Sequence, residues 1–430
     1  MAKIVIIGAG SGFGGKLSVD ILCRPVLQDS VIALCDTDMP RLEKTAAYVQ
    51  RTIDHYKLPA RVIIDTDRRK LMEGADFVTA SISVGGRAYW GRPYSDEIHI
   101  PQKYGLEQDI GDTIGPAGVF RFLRTAPVQL EICWDMEEIC PDALLLNYTN
   151  PMAMLTWAHS EGSDIANVGL CHSVQGTTQM MAKMAGVPYE EVRYLVAGIN
   201  HQAWVLQFRH KDQDAYPLVR AAMDNPEWYA KENIRFEILR HFDCFVTESS
   251  RHNSEYLPYF RRTKALMDRY KLAARQVKPE APVLRDWLKE FGEDEEPTVG
   301  KLKPSVEYAS GIMEAVVTDQ PLRFNGSVMN TGLIDNLPRG CCVEVPCLAD
   351  AQGVRGCHVG ALPAQLAAIN SSNIAVHELA VQAVLNRDRR AAFHACCLDP
   401  LTAASLDLDQ IQAMFDELWT AEGDLLKWFE

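Results

Sequence analysis

The feature that most constrains this chain lies in its first fifteen residues. Lys3 to Ile7 (KIVII) is an unbroken apolar run, and it stops at Gly8-Ala9-Gly10-Ser11-Gly12-Phe13-Gly14-Gly15. A buried strand, a glycine turn and then an amphipathic segment, Lys16 to Leu27, open a nucleotide-binding βαβ unit. Gly8 and Gly10 occupy the first two positions of G-x-G-x-x-G. A missing side chain there lets backbone N–H groups approach a pyrophosphate at a helix N-terminus. Ser11 follows in the same turn. The third motif position is Phe13, flanked by Gly12 and Gly14. Val31 to Cys35 reads as the next strand and ends at Asp36. A carboxylate there accepts hydrogen bonds from ribose hydroxyls and repels a 2′-phosphate, so NAD is expected rather than NADP. Gly8, Gly10, Ser11 and Asp36 are the candidate cofactor residues.

Strand and helix patterns keep alternating downstream. Asp38 to Tyr56 reads as a helix, and Arg61 to Ile64, Asp76 to Ile82, Ala143 to Leu146 and Val168 to Cys171 as strands. Gly118 to Cys140 has apolar residues at 119, 123, 126, 130, 133 and 136, a helical spacing, with a kink expected at Pro127. This order predicts the α/β class with a Rossmann-like, doubly wound parallel sheet. The pattern changes after about residue 192. Val192 to Ile199 and Ala203 to His210 read as a strand pair around an Asn200-His201 turn. Gly292 to Pro297 reads as an acidic loop, Cys341 to Leu348 as a strand, and Asn373 to Leu385 and Leu408 to Phe429 as helices. Two domains are expected: residues 1–192 to bind the dinucleotide, and a C-terminal mixed α/β lobe, 193–430, for substrate and oligomerisation.

Charge narrows the partners. The net charge is −14, which repels phosphate backbones and anionic lipid, so neither nucleic acid nor a membrane is expected. No apolar run reaches the length of a bilayer span, and the apolar opening lacks a basic leader region. The twelve cysteines form no C-x-x-C pair and sit mostly in apolar runs, which reads as reduced thiols and a cytoplasmic protein.

Cys171 falls at the C-terminal end of a predicted parallel strand, the edge where ligands gather in such sheets. A thiolate there and the His201 imidazole could hold a divalent metal, with open positions for a vicinal diol. An ion beside a nicotinamide suggests redox chemistry on a hydroxyl group. Taken alone, however, a single Cys is more often a small core residue and a single His a satisfied core group. Asn150, past Asn147 at the end of the preceding strand, is a candidate for sugar hydroxyl contact. Asp112 could face an active site, or could be a turn residue beside Gly111 and Gly115.

Longer stretches carry a more specific signal. They are KIVIIGAGS, ALCDTD, Gly85-Gly86, YGLEQDIGDTIGPAG around Asp112, NYTNPMAM at 147–154, CHSVQG at 171–176, GINHQAW at 198–204, TESSRHNSEYLPYF at 247–260 and GLIDNLPRGCCVEVP at 332–346. On these the chain resembles glycoside hydrolase family four, the NAD- and manganese-dependent glycosidases, nearly end to end. Cys-His-Ser at 171–173 resembles the α-galactosidase, melibiase-like branch.

The resemblance implies a fold like that of lactate and malate dehydrogenases, with NAD and Mn²⁺ as cofactors. It implies Cys171 and His201 as metal ligands, Tyr256 as base, and His172 or Asp112 as the acid at the leaving oxygen. His252 reads as a surface or lid residue, and Arg339 and Glu344 match without a role. The implied reaction is an exception to the two-carboxylate glycosidases. NAD⁺ takes a hydride from sugar carbon three, which acidifies the proton on carbon two. A base removes it, the glycosidic oxygen leaves, water adds, and NADH returns the hydride. The expected substrate is a small-molecule α-galactoside, and the expected assembly a homodimer or homotetramer. Alternatives are the same machinery on α-glucosides or hexuronides, or an NAD-dependent hydroxyacid dehydrogenase.

Overall fold

The computed structural model describes residues 1–87, 89–280 and 298–430. The acidic Gly292–Pro297 stretch lies outside the described residues.

Six parallel strands form one half of the sheet: β1 (Lys3–Ile7), β2 (Val31–Cys35), β3 (Arg61–Asp65), β4 (Phe77–Ala80), β5 (Leu144–Asn147) and β6 (Asn167–Gly169). Their order is 3-2-1-4-5-6, the doubly wound arrangement that the alternating pattern predicts. Such strands are covered on both faces, which is why β1 and β2 are apolar runs rather than alternating ones. Strand order reverses between β1 and β4, so the crevice beyond their C-terminal ends is the natural ligand position. The helix Gly115–Ile139 is buried along most of its length and carries Pro127 in its interior without being divided.

The remaining strands are β7 (Val192–Ile199), β8 (Gln202–His210), β9 (Gln213–Asp214), β10 (Phe245–Val246), β11 (Leu322–Met329), β12 (Cys342–Asp350) and β13 (Gly353–Gly356). They pair antiparallel, and β11 joins the parallel half through Ser327 opposite Gly169 of β6. Among the described residues the result is one thirteen-stranded sheet, running β10-β8-β7-β12-β11-β6-β5-β4-β1-β2-β3, with β9 on β8 and β13 on β12. The expected turn at Asn200-His201 joins β7 to β8, with Ile199 opposite Gln202. Two helical expectations change at their ends. Asn373–Leu385 is the second half of a helix spanning Ala364–Asn386. Leu408–Phe429 is a helix only to Glu422, because Gly423 leaves helical geometry at φ +50° and a 3₁₀ turn follows. All twelve cysteines are free thiols. Among the described residues no helix is long and apolar enough to cross a membrane.

Candidate active site

Two clusters meet the C-terminal edge of the parallel strands. The first is the turn after β1. Gly8 has φ +88°, and a Cβ there would fall 2.0 Å from the Ser81 carbonyl oxygen, so only glycine lets this turn run against the chain leaving β4. A Cβ on Gly14 would fall 2.6 Å from the Ala9 Cα. Gly14 thus gives the close helix approach that the third motif glycine usually supplies, one residue late. Phe13, which holds the usual position, packs edge-on to Tyr148 at 4.8 Å. Ser11 is the N-cap of the eleven-residue helix Gly12–Leu22, and its hydroxyl donates to the Gly8 carbonyl at 2.9 Å. Asp36 closes the turn from β2. Its Oδ2 accepts the Gly10 N–H at 2.8 Å and its Oδ1 accepts the Asp38 N–H at 3.0 Å. A glycine turn, a helix N-terminus and an anchored carboxylate suit the phosphates and ribose of a dinucleotide.

The second cluster centres on His201. This residue sits in left-handed backbone at φ +65° in the β7–β8 turn, which swings its buried ring off the sheet edge. Its Nε2 lies 3.4 Å from the Cys171 sulfur, which comes from the loop after β6, and 3.8 Å from Glu248 Oε1. Its Nδ1 lies 2.8 Å from Thr113 Oγ1. The Thr113 hydroxyl donates its one proton to Asp112 Oδ1 at 2.8 Å. Toward His201 it can therefore only accept, so Nδ1 carries a hydrogen and Nε2 is the nitrogen that can be bared to a cation. Burial pulls the His201 pKa down, but the Cys171 sulfur with the Glu248 and Asp112 carboxylates reverses this and pushes it up to about 10. A cation binding between sulfur and Nε2 would displace protons from this site. Sulfur, imidazole and carboxylate donors within 4.8 Å of one another fit a divalent metal.

Asp112 and Asn150 come together. Asp112 is buried, and its Oδ2 accepts hydrogen bonds from Tyr89 Oη and Asn150 Nδ2, both at 2.9 Å. Burial opposes its charge, but His252, His201 and Arg121 hold its carboxyl well below the usual carboxylate range. Tyr256 is buried beside it, with its hydroxyl 3.4 Å from His201 Nδ1. Burial, then the Asp112 and Glu255 charges, push this hydroxyl far above its ordinary pKa. Tyr259, three residues on, is half exposed and packs on Phe242 instead. His172 follows Cys171 but points outward. Its side chain is 61% exposed and pairs with Glu307 at 3.3 Å, which raises its pKa. Asn147 is taken up locally, bonded to both backbone groups of Thr149.

His252 is not a surface or lid residue. Its side chain is 15% exposed, with Nδ1 3.1 Å from Glu248 Oε2 and Nε2 3.6 Å from Asp112 Oδ1. The reason is helical spacing: Ser250–Tyr256 is a short helix, and it turns both His252 and Tyr256 into the site. Glu255, on the same helix, accepts the N–H groups of Asp109, Ile110 and Gly111 and so fixes the segment that carries Asp112. Thr113, Glu248 and Glu255 had no separate signal, although each lies inside a stretch noted above. Glu344, on β12, is buried and influenced by the His201 charge, with one carboxylate oxygen unpartnered.

Residues 3–187 match the model of the family 4 glycosyl hydrolases, and residues 196–402 match the family 4 glycosyl hydrolase C-terminal domain. An α-galactosidase of Bacillus subtilis (strain 168) is 39% identical over 432 residues, covering 99% of both chains. An α-galactosidase of Rhizobium meliloti (strain 1021) is 35% identical, covering 99% of this chain and 89% of that one. The solved structure of the 6-phospho-β-glucosidase of Thermotoga maritima, with manganese, NAD⁺ and glucose-6-phosphate, superposes with a TM-score of 0.79 at 20% identity. It covers 97% of this chain and 98% of that one, a likeness of fold. The matched regions include the glycine turn, the Cys171 loop, the His201 turn and the Ser250–Tyr256 helix, and the chain belongs to the family 4 glycosyl hydrolases.

Proposed function

We propose that this protein hydrolyses α-galactosides with NAD⁺ and a divalent ion, manganese by preference, as permanent partners. The observation that carries the reading is the 3.4 Å approach of Cys171 sulfur to His201 Nε2 at the same sheet edge as the glycine turn. The substrate class rests on the two α-galactosidases, each more than a third identical over nearly the whole chain.

Gly8, Gly10, Ser11 and Asp36 would hold the dinucleotide, and Cys171 with His201 the ion. Bound there, the nicotinamide supplies reversible hydride transfer at sugar carbon three, and the ion polarises the neighbouring sugar oxygens. The chain's own residues do the proton work. Tyr256 takes the proton from carbon two. To act so it must first be a phenolate: burial and the Asp112 and Glu255 charges keep its hydroxyl protonated, and the positive charge of a bound ion and coenzyme would have to lower its pKa and release that proton to solvent before it could accept the one from carbon two. Asp112 already accepts three hydrogen bonds as a carboxylate, so it orients Asn150, Thr113 and Tyr89 rather than donating a proton. Asn150 meets the sugar hydroxyls. His172, held outward against Glu307 with a raised pKa, would have to turn inward to protonate the leaving oxygen.

The reaction run in D₂O tests this reading. Galactose released from an aryl α-galactoside should carry deuterium at carbon two, with no net NADH formed. Product free of deuterium would remove the elimination route. Turnover of an α-glucoside or a hexuronide in preference to the α-galactoside would move the substrate class and leave the chemistry standing.

A further inference from the structure

Glu248 follows β10 and holds left-handed backbone at φ +66°, a conformation rare for a residue with a side chain. Its two carboxylate oxygens are not equivalent. Oε2 accepts the Ser249 N–H at 2.9 Å and faces His252 Nδ1 at 3.1 Å. Oε1 is turned the other way, 3.8 Å from His201 Nε2, and the donor atoms of Cys171, His201 and Glu248 lie within 4.8 Å of one another. The carboxylate is thus pinned from behind with one oxygen presented to the sulfur and the imidazole. A second group, Asp112 with His201 and His252, is equally compact. There, however, Asp112 is taken by three donors, and His201 Nδ1 is taken by Thr113.

Ligand chemistry separates the two groups further. A thiolate is soft, and manganese favours hard oxygen donors, so a sulfur–nitrogen pair alone would hold it weakly. A carboxylate adds the missing hard donor and, with the thiolate, brings two negative charges to a dication. We propose that Glu248 Oε1 is a third protein ligand of the ion, completing a sulfur–nitrogen–oxygen set with Cys171 and His201. This rests on the Cys171/His201 site proposed above. His252, held between Glu248 and Asp112, is then a positioning residue for that ligand.

The test is Mn²⁺ affinity of the NAD-loaded protein, followed by electron paramagnetic resonance. Glu248→Gln should weaken Mn²⁺ binding by about tenfold or more, with NAD affinity and the metal-free melting temperature unchanged. Cys171→Ser should weaken it at least as much. Wild-type Mn²⁺ affinity in Glu248→Gln, while Cys171→Ser loses the ion, overturns the third ligand and leaves the pair. Wild-type affinity in Cys171→Ser overturns the site itself. If Glu248→Gln fails to fold, a crystal structure of the wild-type protein soaked with Mn²⁺ decides. The Glu248 carboxylate bonded to the ion supports the assignment, and a carboxylate outside bonding distance overturns it.

Discussion

After β1, Gly8 to Ser11 offers a ligand mostly backbone, and a single carboxylate, Asp36, is tied to it by the Gly10 N–H. Around His201 the opposite holds. Side chains from the segments at 112–113, 171, 201 and 248–256 contact one another, and the charges of His201, Asp112, Glu248 and His252 shift each other's titration. The backbone-built site depends on the absence of atoms at a few positions. The side-chain site depends on every member holding the others. Damage to the first should stay local, and paired substitutions in the second should be non-additive.

The sharpest way to break this contrast is Cys171→Ser. Turnover should fall on the order of a thousandfold, since a lost metal removes several kcal/mol of transition-state stabilisation, while NAD binding persists. Equal loss of NAD affinity would mean that the two clusters are one. Tyr256→Phe should follow, with a fall of roughly a hundredfold or more in turnover and unchanged Mn²⁺ affinity. A carbon-two deuterated substrate should then show a larger isotope effect than with the wild type. Unchanged kinetics would reassign the base. Gly10→Ala puts a Cβ 2.7 Å from the Asp36 carboxylate and should weaken NAD by about tenfold, with Mn²⁺ affinity intact. The reverse outcome would undo the distinction from the other side.

The smallest effect is on stability alone. His159, in the helix Met152–Gly162, is fully buried, and among the described residues neither ring nitrogen has a partner. Burial pulls its pKa from 6.5 to about 3. Because folding depresses this pKa, the stability it supports is complete above pH 6.5 and is lost as pH falls toward 3. The loss is on the order of a few kcal/mol across that window. His159→Leu should keep activity and flatten the acid limb of a melting-temperature profile. A limb of unchanged slope would show that other groups control it.

The two regions also differ in how much the chain alone reveals. The turn after β1 is a local object, so strand, glycines and Asp36 could be read in order along the sequence. Even its irregular third position has a local reason, because Gly14 does the packing that Phe13 cannot. The β7–β8 turn was likewise legible, since Asn200-His201 interrupts two apolar runs. In the second site Cys171, His201, Asn150 and Asp112 can be read from the chain only as open candidates, and the family resemblance is what joins them, because the members are brought together by the sheet and not by spacing. His252 was misread for that reason. Its neighbours Asp112 and Glu248 are supplied by other segments, and nothing beside it in the chain marks it as buried. The break at Gly423 was missed for a different reason: apolar spacing carried past a glycine that a helix could still have tolerated.

The unbroken sheet has a mechanical consequence. Ser327 against Gly169 joins the antiparallel strands to the parallel ones, and Glu344 against Gly198 joins β12 to β7 within the antiparallel half, so the glycine turn and the His201 cluster stand on one sheet. Bending it open between the glycine turn and the His201 cluster would tear ladder bonds in the middle of the sheet. A ligand reaching the His201 cluster therefore meets a floor held by strand pairing rather than by a hinge between separate sheets. An inhibitor meant to wedge two halves apart would have to break that strand pairing to do so.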